Sequence, residues 1–383
     1  MEALRRMKLC YILPKFDAHS EEHFSHTVRT LEALARQVGL TVIVKQWSGQ
    51  VRIAGAEQVL LQRARGPERI LELARLLVQA RRSGCTTFFS HYSYSGGITS
   101  AIVARLTGAR ACYWHCGQSR QYYPRKWSLR RDVLATKLTD ELPLNLCLTL
   151  SHALVTGTAR MAEYYVREFG VDRRKIIIVP NDIDLAHFPV RNAELSAAKV
   201  ALGLNGDTPV VLFVHRLSPR KGAQYLAEIA ARVRQSFPGA ILIIIGGGPF
   251  EQRVTAEIAA LGMEAAVRMP GWVPNRELGA YYAAADVFIM PSDEEGFPRV
   301  LLEAQAVGVP FVATDVGGVL DIVTDRQAQF VVPQGDVPSF AGRIIALLRD
   351  PTLRAELSLE GRGNVQSFAV ERVAQLFVER VVK

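Results

Sequence analysis

Two carboxylates, Glu295 and Glu303, stand eight positions apart around a predicted turn between a strand and a helix. The apolar run that ends at Met290 predicts the strand, and Pro291 and Gly296 predict the turn. A helix N-terminus carries unpaired N–H groups and partial positive charge, so this turn can bind a phosphate while the carboxylates accept hydrogen bonds from hydroxyl groups. By itself, the same spacing also fits two solvated glutamates on an ordinary helix.

Two cations, Arg216 and Lys221, follow a second predicted strand, residues 210–214, and precede a predicted helix. A guanidinium binds a diphosphate bidentately and an ammonium acts as a point charge. Together they can stabilise the charge that develops on a diphosphate leaving group. Taken alone, cations on a loop are also common surface charges.

These two segments together resemble the retaining glycosyltransferases of family 4, and the resemblance extends through nearly the full C-terminal half. It implies an α/β fold of GT-B type, with two facing Rossmann-like domains and a C-terminal helix that crosses back to the first. It further implies that Arg216 and Lys221 contact the diphosphate, Glu295 the hydroxyl groups of the donor sugar, and Glu303 the ribose. The chain departs from the family pattern at His215, where the family usually has glycine.

The resemblance implies further donor contacts through the backbone. The glycine run at 246–248 lets a ligand approach closely, and Val273 lies in a loop that meets the nucleotide base in the family. Pro298 replaces a usual glycine and has no N–H to donate. The implied backbone positions are Gly247, Val273, Gly296, Phe297 and Arg299.

The first half is expected to hold the acceptor and the other side of the catalytic cleft. His115 ends a predicted strand and matches the family position where a histidine faces the donor sugar, and His91 is a second, weaker candidate. The amino-terminal loop has no glycine, whereas many relatives have two. Lys15 and His19 then replace the role of that loop, or the acceptor binds differently.

No metal or other cofactor is expected. Asp182 and Asp184 resemble a structural Asn-Gly-Val-Asp segment of the family, which implies metal-independent transfer. The five cysteines are odd in number and irregularly spaced, which is typical of free thiols in a reducing compartment.

Short apolar runs alternate with stretches of helical spacing through most of the chain, and this alternation predicts parallel sheets. With 383 residues, the chain can bury two cores of ordinary size. We expect an N-terminal acceptor-binding domain over 1–190 together with the helix 366–383, and a donor-binding domain over 191–365. Ligands of such sheets bind at the carboxyl ends of the strands.

Charge is distributed unevenly. Residues 1–190 hold 27 Lys and Arg against 16 Asp and Glu, whereas the remaining residues hold 19 against 21. This surplus predicts an anionic partner for the first half, either a membrane surface or a phosphorylated acceptor, while no motif supports nucleic acid. Solvated arginine-rich helix faces explain the surplus equally well.

A basic and aromatic segment at 120–131 suits a membrane interface, although an ordinary loop that closes the acceptor site fits as well. No apolar stretch reaches the roughly 20 residues that a spanning helix needs, so we expect a cytoplasmic protein with peripheral membrane contact as a candidate. The membrane candidates are Arg125, Lys126, Trp127, Arg130 and Arg131.

The expected activity is metal-independent transfer of a hexose, with retention, from a UDP- or GDP-linked sugar to a glycan or lipid-linked acceptor in polysaccharide biosynthesis. A sugar-nucleotide 2-epimerase and a non-catalytic nucleotide-sugar-binding module are the alternatives.

Overall fold

The computed structural model describes residues 7–18, 25–117, 135–188 and 195–383. It divides into two compact units, unit 1 of Met1–Asp182 with Val370–Lys383, and unit 2 of Ile183–Ala369. The sequence prediction instead divides the chain after residues 190 and 365.

Unit 1 is built on a parallel sheet of seven described strands in the order β5-β3-β1-β6-β7-β8-β9. Strand β3 is buried along its whole length, as expected of a parallel strand that is covered on both faces. Two short strands, β2 and β4, pair separately. The strands of unit 1 are β1 Lys8–Leu13, β2 Phe16–Asp17, β3 Gly39–Val44, β4 Trp47–Ser48, β5 Gln58–Leu61, β6 Thr87–His91, β7 Arg110–Trp114, β8 Ala153–Thr156 and β9 Ile176–Ile178.

Helices connect these strands, and local caps set their ends. Ser93 caps the helix after β6 by accepting a hydrogen bond from the N–H of Gly96, and Gly108 ends that helix with a left-handed backbone at φ 68°. A π-helical turn, Lys137–Glu141, leads into the helix before β8. The helices of unit 1 up to β9 are α1 Ser25–Ala35, α2 Glu68–Arg82, α3 Tyr94–Thr107, α4 Leu142–Leu150 and α5 Ala159–Phe169.

Unit 2 has a parallel sheet of six described strands in the order β12-β11-β10-β13-β14-β15. Its strands are rich in Val and Ile and lie between helices that bury one apolar face. The strands are β10 Val210–Val214, β11 Ile241–Ile245, β12 Val267–Gly271, β13 Val287–Met290, β14 Phe311–Thr314 and β15 Val331–Val332. The helices are α6 Leu195–Ala201, α7 Leu226–Ser236, α8 Glu251–Ala260, α9 Asn275–Ala284, α10 Arg299–Val307, α11 Val337–Arg349 and α12 Pro351–Val365.

The last helix, α13 Val370–Phe377, returns to unit 1 and continues as a π-helical turn, Val378–Val382. It packs against α1, and the ring of Phe377 meets that of Phe89 with centroids 4.7 Å apart. The guanidinium of Arg380 donates to the carbonyl of Ile178 at 2.8 Å. The crossing C-terminal helix that the sequence predicts is therefore present.

The α/β class with two parallel sheets is confirmed. The apolar runs of the sequence predict eleven of these fifteen strands, with residues 266–269 in place of β12, and they omit β2, β4, β5 and β15. All five cysteines are buried free thiols. Among the helices that the structure describes, none is long and apolar enough to cross a membrane.

Candidate functional site

The carboxyl ends of β10 and β13 lie side by side, because these two parallel strands are neighbours at the centre of the unit 2 sheet. The loops that follow them, residues 215–222 and 291–296, carry the cations and the first carboxylate of the predicted donor site. We call these two loops the unit 2 edge. The strands β11 and β12 end at the same side of the sheet, so Gly247 and Val273 follow neighbouring strand ends.

The two loops of the unit 2 edge are tied together. Arg220 forms an ion pair with Glu294 at 2.7 Å, and the backbone N–H of Glu294 donates to the carbonyl of Arg220 at 3.0 Å. Gly222 has φ 71°, and an added Cβ there would lie 1.9 Å from the carbonyl oxygen of Pro291. The loops therefore pack so closely that position 222 accepts only glycine.

Glu295 is buried, and its described contacts all fall on one oxygen. Lys221 Nζ lies 2.8 Å from Oε1, Ser292 Oγ donates to the same oxygen at 2.9 Å, and His215 Nε2 lies 3.4 Å from it. Burial by itself raises the pKa of Glu295, but the Lys221 ammonium and the His215 ring outweigh burial and hold it at about 2. The side chain is therefore ionised, and Oε2 has no hydrogen bond to any described residue.

The geometry of His215 fixes its tautomer. Its Nδ1 accepts a hydrogen bond from the backbone N–H of Arg216 at 2.8 Å, so the proton of the neutral ring is on Nε2, which faces Glu295. Burial and the Lys221 ammonium lower the pKa of His215, which favours this neutral form. The residue that departs from the family pattern thus links the backbone of Arg216 to the carboxylate of Glu295.

Arg216 differs from Lys221 in its surroundings. Its side chain is exposed, and no described carboxylate lies within ion-pair distance of it. Lys221 is more buried and also donates to the carbonyl of Glu294 at 3.2 Å. The unit 2 edge thus presents one guanidinium without a described anion beside one ammonium that is already paired.

Glu303 lies on α10, one turn after the helix begins. The hydroxyl of Tyr282, a buried residue on α9, donates to its Oε2 at 2.9 Å. Burial raises the pKa of Glu303, while Arg299 and the Tyr282 hydroxyl oppose that rise. One carboxylate oxygen is therefore held in place by the neighbouring helix.

Residues 296–299 form the turn into α10. Gly296 accepts a hydrogen bond from the N–H of Gly318 at 3.1 Å, and Phe297 is buried against the ring of Phe368. Gly317 has φ 52°, and an added Cβ there would lie 1.7 Å from the carbonyl oxygen of Glu295. Through this close contact, the loop that carries Gly317 holds the turn in position.

In unit 1, His115 is buried and its Nδ1 hydrogen-bonds the hydroxyl of Tyr165. Burial lowers its pKa to about 4, so the ring is neutral near pH 7. His91 ends β6, and its Nδ1 lies 3.0 Å from the hydroxyl of Tyr11. Lys15 is half-buried after β1.

The remaining candidates of the first half, His19, Arg125, Lys126, Trp127, Arg130 and Arg131, lie outside the described residues. Asp182 is buried and accepts a hydrogen bond from Thr30 Oγ1, and Asp184 accepts one from the N–H of Ala186 at 3.1 Å. The first contact ties the loop of Asp182 to α1, and the second lies within the loop of Asp184 itself.

Sequence reasoning missed the residues that orient the predicted ones, namely Ser292, Asp293, Glu294, Gly222 and Gly317. Asp293 accepts hydrogen bonds from Gln224 at 2.8 Å and Tyr225 at 3.2 Å. Each of these five residues lies within or next to a segment that a motif had already singled out, and this proximity could have pointed to them. Which oxygen each side chain contacts depends on folding and has no signal in the spacing.

Comparison with known proteins gives a match of residues 196–363 to the model of the glycosyl transferases group 1. The D-inositol 3-phosphate glycosyltransferase of Acidothermus cellulolyticus is 39% identical over 213 residues, which are 53% of this chain and 47% of that protein. The enzyme of the same name from Nocardia farcinica is 34% identical over 233 residues, 59% and 51% of the two chains. The chain thus matches about half the length of these curated relatives.

Solved structures resemble the whole chain. Sucrose-phosphate synthase from Thermosynechococcus elongatus superposes with a TM-score of 0.78 at 20% identity, covering 97% of this chain and 98% of that chain. Anabaena HepE in complex with UDP and glucose gives 0.76 at 18% identity, with the same coverage of both chains. Residues 196–363 thus match the glycosyl transferases group 1, and the chain shares its fold, of the GT-B type, with these glycosyltransferase structures.

Proposed function

We propose that this protein is a retaining, metal-independent glycosyltransferase that moves a hexose from a nucleoside diphosphate sugar to a hydroxyl group of a glycan or lipid-linked acceptor. The observation that carries the proposal is the arrangement around Glu295. Three groups hold Oε1 and leave Oε2 without a described partner. Beside it lie the paired ammonium of Lys221 and the guanidinium of Arg216, which has no ion pair to a described carboxylate. A polyol joined to a diphosphate matches this arrangement, because the hydroxyl donates and the diphosphate accepts.

Each residue then has a role in transfer. Arg216 and Lys221 bind the diphosphate and stabilise the charge that it gains as the bond to the anomeric carbon breaks. Their two positive charges support transfer without a divalent metal, since they neutralise the same charge that a metal would. Glu295 accepts a hydrogen bond from a sugar hydroxyl, and Glu303 accepts from the ribose.

The backbone completes the donor site in this proposal. The N–H groups at the turn into α10, from Gly296, Phe297 and Arg299, lie toward the sugar and phosphates. Gly247 permits close approach of the ligand, and Val273 lies near the base. The names of the relatives support the donor class, since one neighbour was solved with UDP and glucose, and the curated relatives are named as glycosyltransferases.

His115 belongs to the acceptor-binding unit in this proposal, with Lys15, His19 and His91 as further acceptor-side candidates. His115 is neutral and one ring nitrogen is held by Tyr165. It can therefore hydrogen-bond a hydroxyl without adding charge. Replacing His115 with Ala is expected to slow turnover more than it weakens nucleotide binding.

The test is incubation of the protein with radiolabelled UDP- and GDP-sugars and a panel of hydroxyl acceptors, with and without EDTA. Acceptor-dependent transfer that EDTA leaves unchanged, and a product of retained configuration, support the proposal. Release of an epimerised donor without acceptor would indicate a 2-epimerase. Donor binding with no turnover on any acceptor would indicate a binding module.

We also propose peripheral attachment to an anionic membrane through the first half, motivated by its charge and by the segment 120–131. Each Lys or Arg near an anionic leaflet contributes about 1 kcal/mol. Sedimentation with liposomes of increasing anionic content compares the wild type with a variant in which Arg125, Lys126, Arg130 and Arg131 are Ser. Equal pelleting of both proteins, unaffected by salt, would contradict attachment through these residues.

A further inference from the structure

Unit 1 contains a cavity of about 320 Å³ at the carboxyl edge of its sheet. It lies where β3 and β5 end and where α2 and α3 begin, and its volume is in the range of small-ligand sites. We call it the Lys45 cavity. Its polar lining includes Lys45, Gln62, Arg69 and Ser95, with Gly66 at one side.

Lys45 lies at the wall of this cavity with part of its hydrogen-bonding capacity unused. Its Nζ donates to Ser93 Oγ at 2.6 Å and to Ser95 Oγ at 2.5 Å, and an ammonium carries a third proton. In the part of the chain that the structure describes, no carboxylate lies within ion-pair distance of Lys45. Burial and the charge of Arg69 lower its pKa to about 8, so the ammonium still predominates at pH 7.

Arg69 adds a second positive charge to the same wall. Its guanidinium donates to the carbonyl of Lys45 at 3.2 Å, and its own carbonyl accepts from the side-chain amide of Gln62. No described carboxylate pairs with this guanidinium either. The buried Oε1 of Gln62 has no described donor. The hydrogen bond from the side-chain amide of Gln62 to the carbonyl of Arg69 fixes the start of α2. The wall of the cavity thus has two cations, Lys45 and Arg69, that are held at defined positions.

The start of α3 contributes a third positive feature. Ser93 is the N-cap of this helix and Ser95 lies in its first turn, so Lys45 contacts the positive end of the helix. A cation in this place is unfavourable, since helix N-termini attract anions. A bound anion would be attracted to both cations and to the helix end, and it would therefore make this arrangement of charges favourable.

We propose that the Lys45 cavity binds an oxyanion, a phosphate or carboxylate group, that is carried by the acceptor substrate. The inference rests on the proposed function in one respect only, namely that the bound molecule is the acceptor. The size of the cavity leaves room for a sugar or polyol ring beside the charged group. The acceptor is thus a phosphorylated or acidic polyol, and a neutral one binds poorly.

Calorimetry tests this inference with inorganic phosphate, glucose 6-phosphate, glucuronate and glucose as probes on the full chain. Lys45→Met and Arg69→Gln each remove a charge-assisted contact, and we expect each to weaken binding of the charged probes about tenfold or more. Lys45→Arg keeps the charge and is expected to retain most of the affinity. Arg52→Gln, an exposed position of the same unit outside the cavity, is the matched control.

The same samples are titrated with UDP and GDP, which report on unit 2 and show that each variant is folded. Charged probes that bind the wild type, bind Arg52→Gln equally and lose affinity in both cavity variants support the inference. Selective binding of glucose 6-phosphate or of glucuronate identifies which oxyanion the cavity takes.

Two outcomes overturn the inference. One is the absence of oxyanion binding, or its persistence in both cavity variants, while the nucleotides still bind. The other is an equal loss of affinity in Arg52→Gln, which would indicate attraction to the overall charge of the unit. Loss of nucleotide binding in the wild type, with oxyanion binding intact, would instead count against the proposed function and leave the cavity assignment in place.

Discussion

The carboxyl edges of the two sheets handle charge in different ways. At the unit 2 edge, Lys221 is paired with Glu295 and a second carboxylate, Glu294, is paired with Arg220. In the Lys45 cavity, two cations lie together without a described carboxylate. Paired charges hold their side chains in place before a ligand arrives, whereas unpaired cations depend on the ligand for neutralisation. Equivalent edges of similar sheets can thus carry either paired charges or cations without a described counterion.

The largest expected effect comes from breaking the pair in unit 2. Lys221→Met leaves Glu295 buried without its cation, and we expect the free energy of unfolding to fall by about 3–5 kcal/mol. Turnover should be lost as well, since the variant lacks the proposed contact to the diphosphate. Chemical denaturation and steady-state kinetics measure the two effects.

The double variant Lys221→Met, Glu295→Gln is the control for this prediction. It removes the buried charge, so it should recover much of the stability but none of the turnover. If the single variant is as stable as the wild type, then Glu295 is not constrained by the pair and the comparison between the two edges fails.

The next effect concerns the neutral histidine of unit 1. The pKa of His115 is about 4 when folded, below the ordinary value of about 6.5. Above pH 6.5 the ring is neutral in both states and adds no pH dependence. As pH falls from 6.5 to 4, only the unfolded chain takes up the proton, so the free energy of unfolding decreases by about 3 kcal/mol in total.

Urea titrations at pH 7.5, 6.0 and 4.5 measure this slope in the wild type and in His115→Asn. The variant cannot take up the proton, so its stability should depend less on pH by that amount. Identical slopes in the two proteins would show that His115 is not buried in its neutral form.

A smaller effect is expected at Glu303. Glu303→Ala removes the carboxylate that is proposed to accept from the ribose, and nucleotide binding should weaken by about 1.5–3 kcal/mol. Tyr282→Phe removes only the hydroxyl that orients Glu303, so its loss should be about 1 kcal/mol. Calorimetry with UDP and GDP measures both, with the exposed Glu277 of α9 changed to Ala as the control. Unchanged affinity for UDP and GDP in Glu303→Ala would mean that Glu303 is not part of the donor pocket.

The smallest effect should come from His215. Gln at this position can accept from the N–H of Arg216 and donate to Glu295, whereas Gly, the usual family residue, can do neither. We therefore expect His215→Gly to raise KM for the donor about fivefold, and His215→Gln to raise it less. Equal KM values for the two variants would mean that His215 does not position Glu295.

The sequence predicted most of the fold because buried parallel strands need continuous apolar runs, as in residues 210–214 and 241–245. It omitted β5 because this edge strand is only half-buried and its pattern is weaker. It omitted β15 because a strand of two residues is too short to show a periodic pattern of apolar residues.

The sequence predicted which residues form the candidate site, and their roles remain proposals. It did not predict the contacts among those residues. Glu295, Lys221 and Arg216 stand in recognisable motifs. That three groups meet on one oxygen of Glu295 follows only from folding. The Lys45 cavity had no signal, because its residues come from separate segments with no shared spacing.

Because α13 returns to unit 1, this unit can complete its fold only at the end of synthesis. Unit 1 is discontinuous along the chain, since Ile183–Ala369 is made between its two parts. The contact of Phe89 with Phe377 therefore forms only after all of unit 2 has left the ribosome. Domains generally fold as they emerge, so unit 2 can finish folding first although it is encoded second. Until then, the apolar surface of unit 1 that α13 covers, which includes the ring of Phe89, stays exposed on the nascent chain.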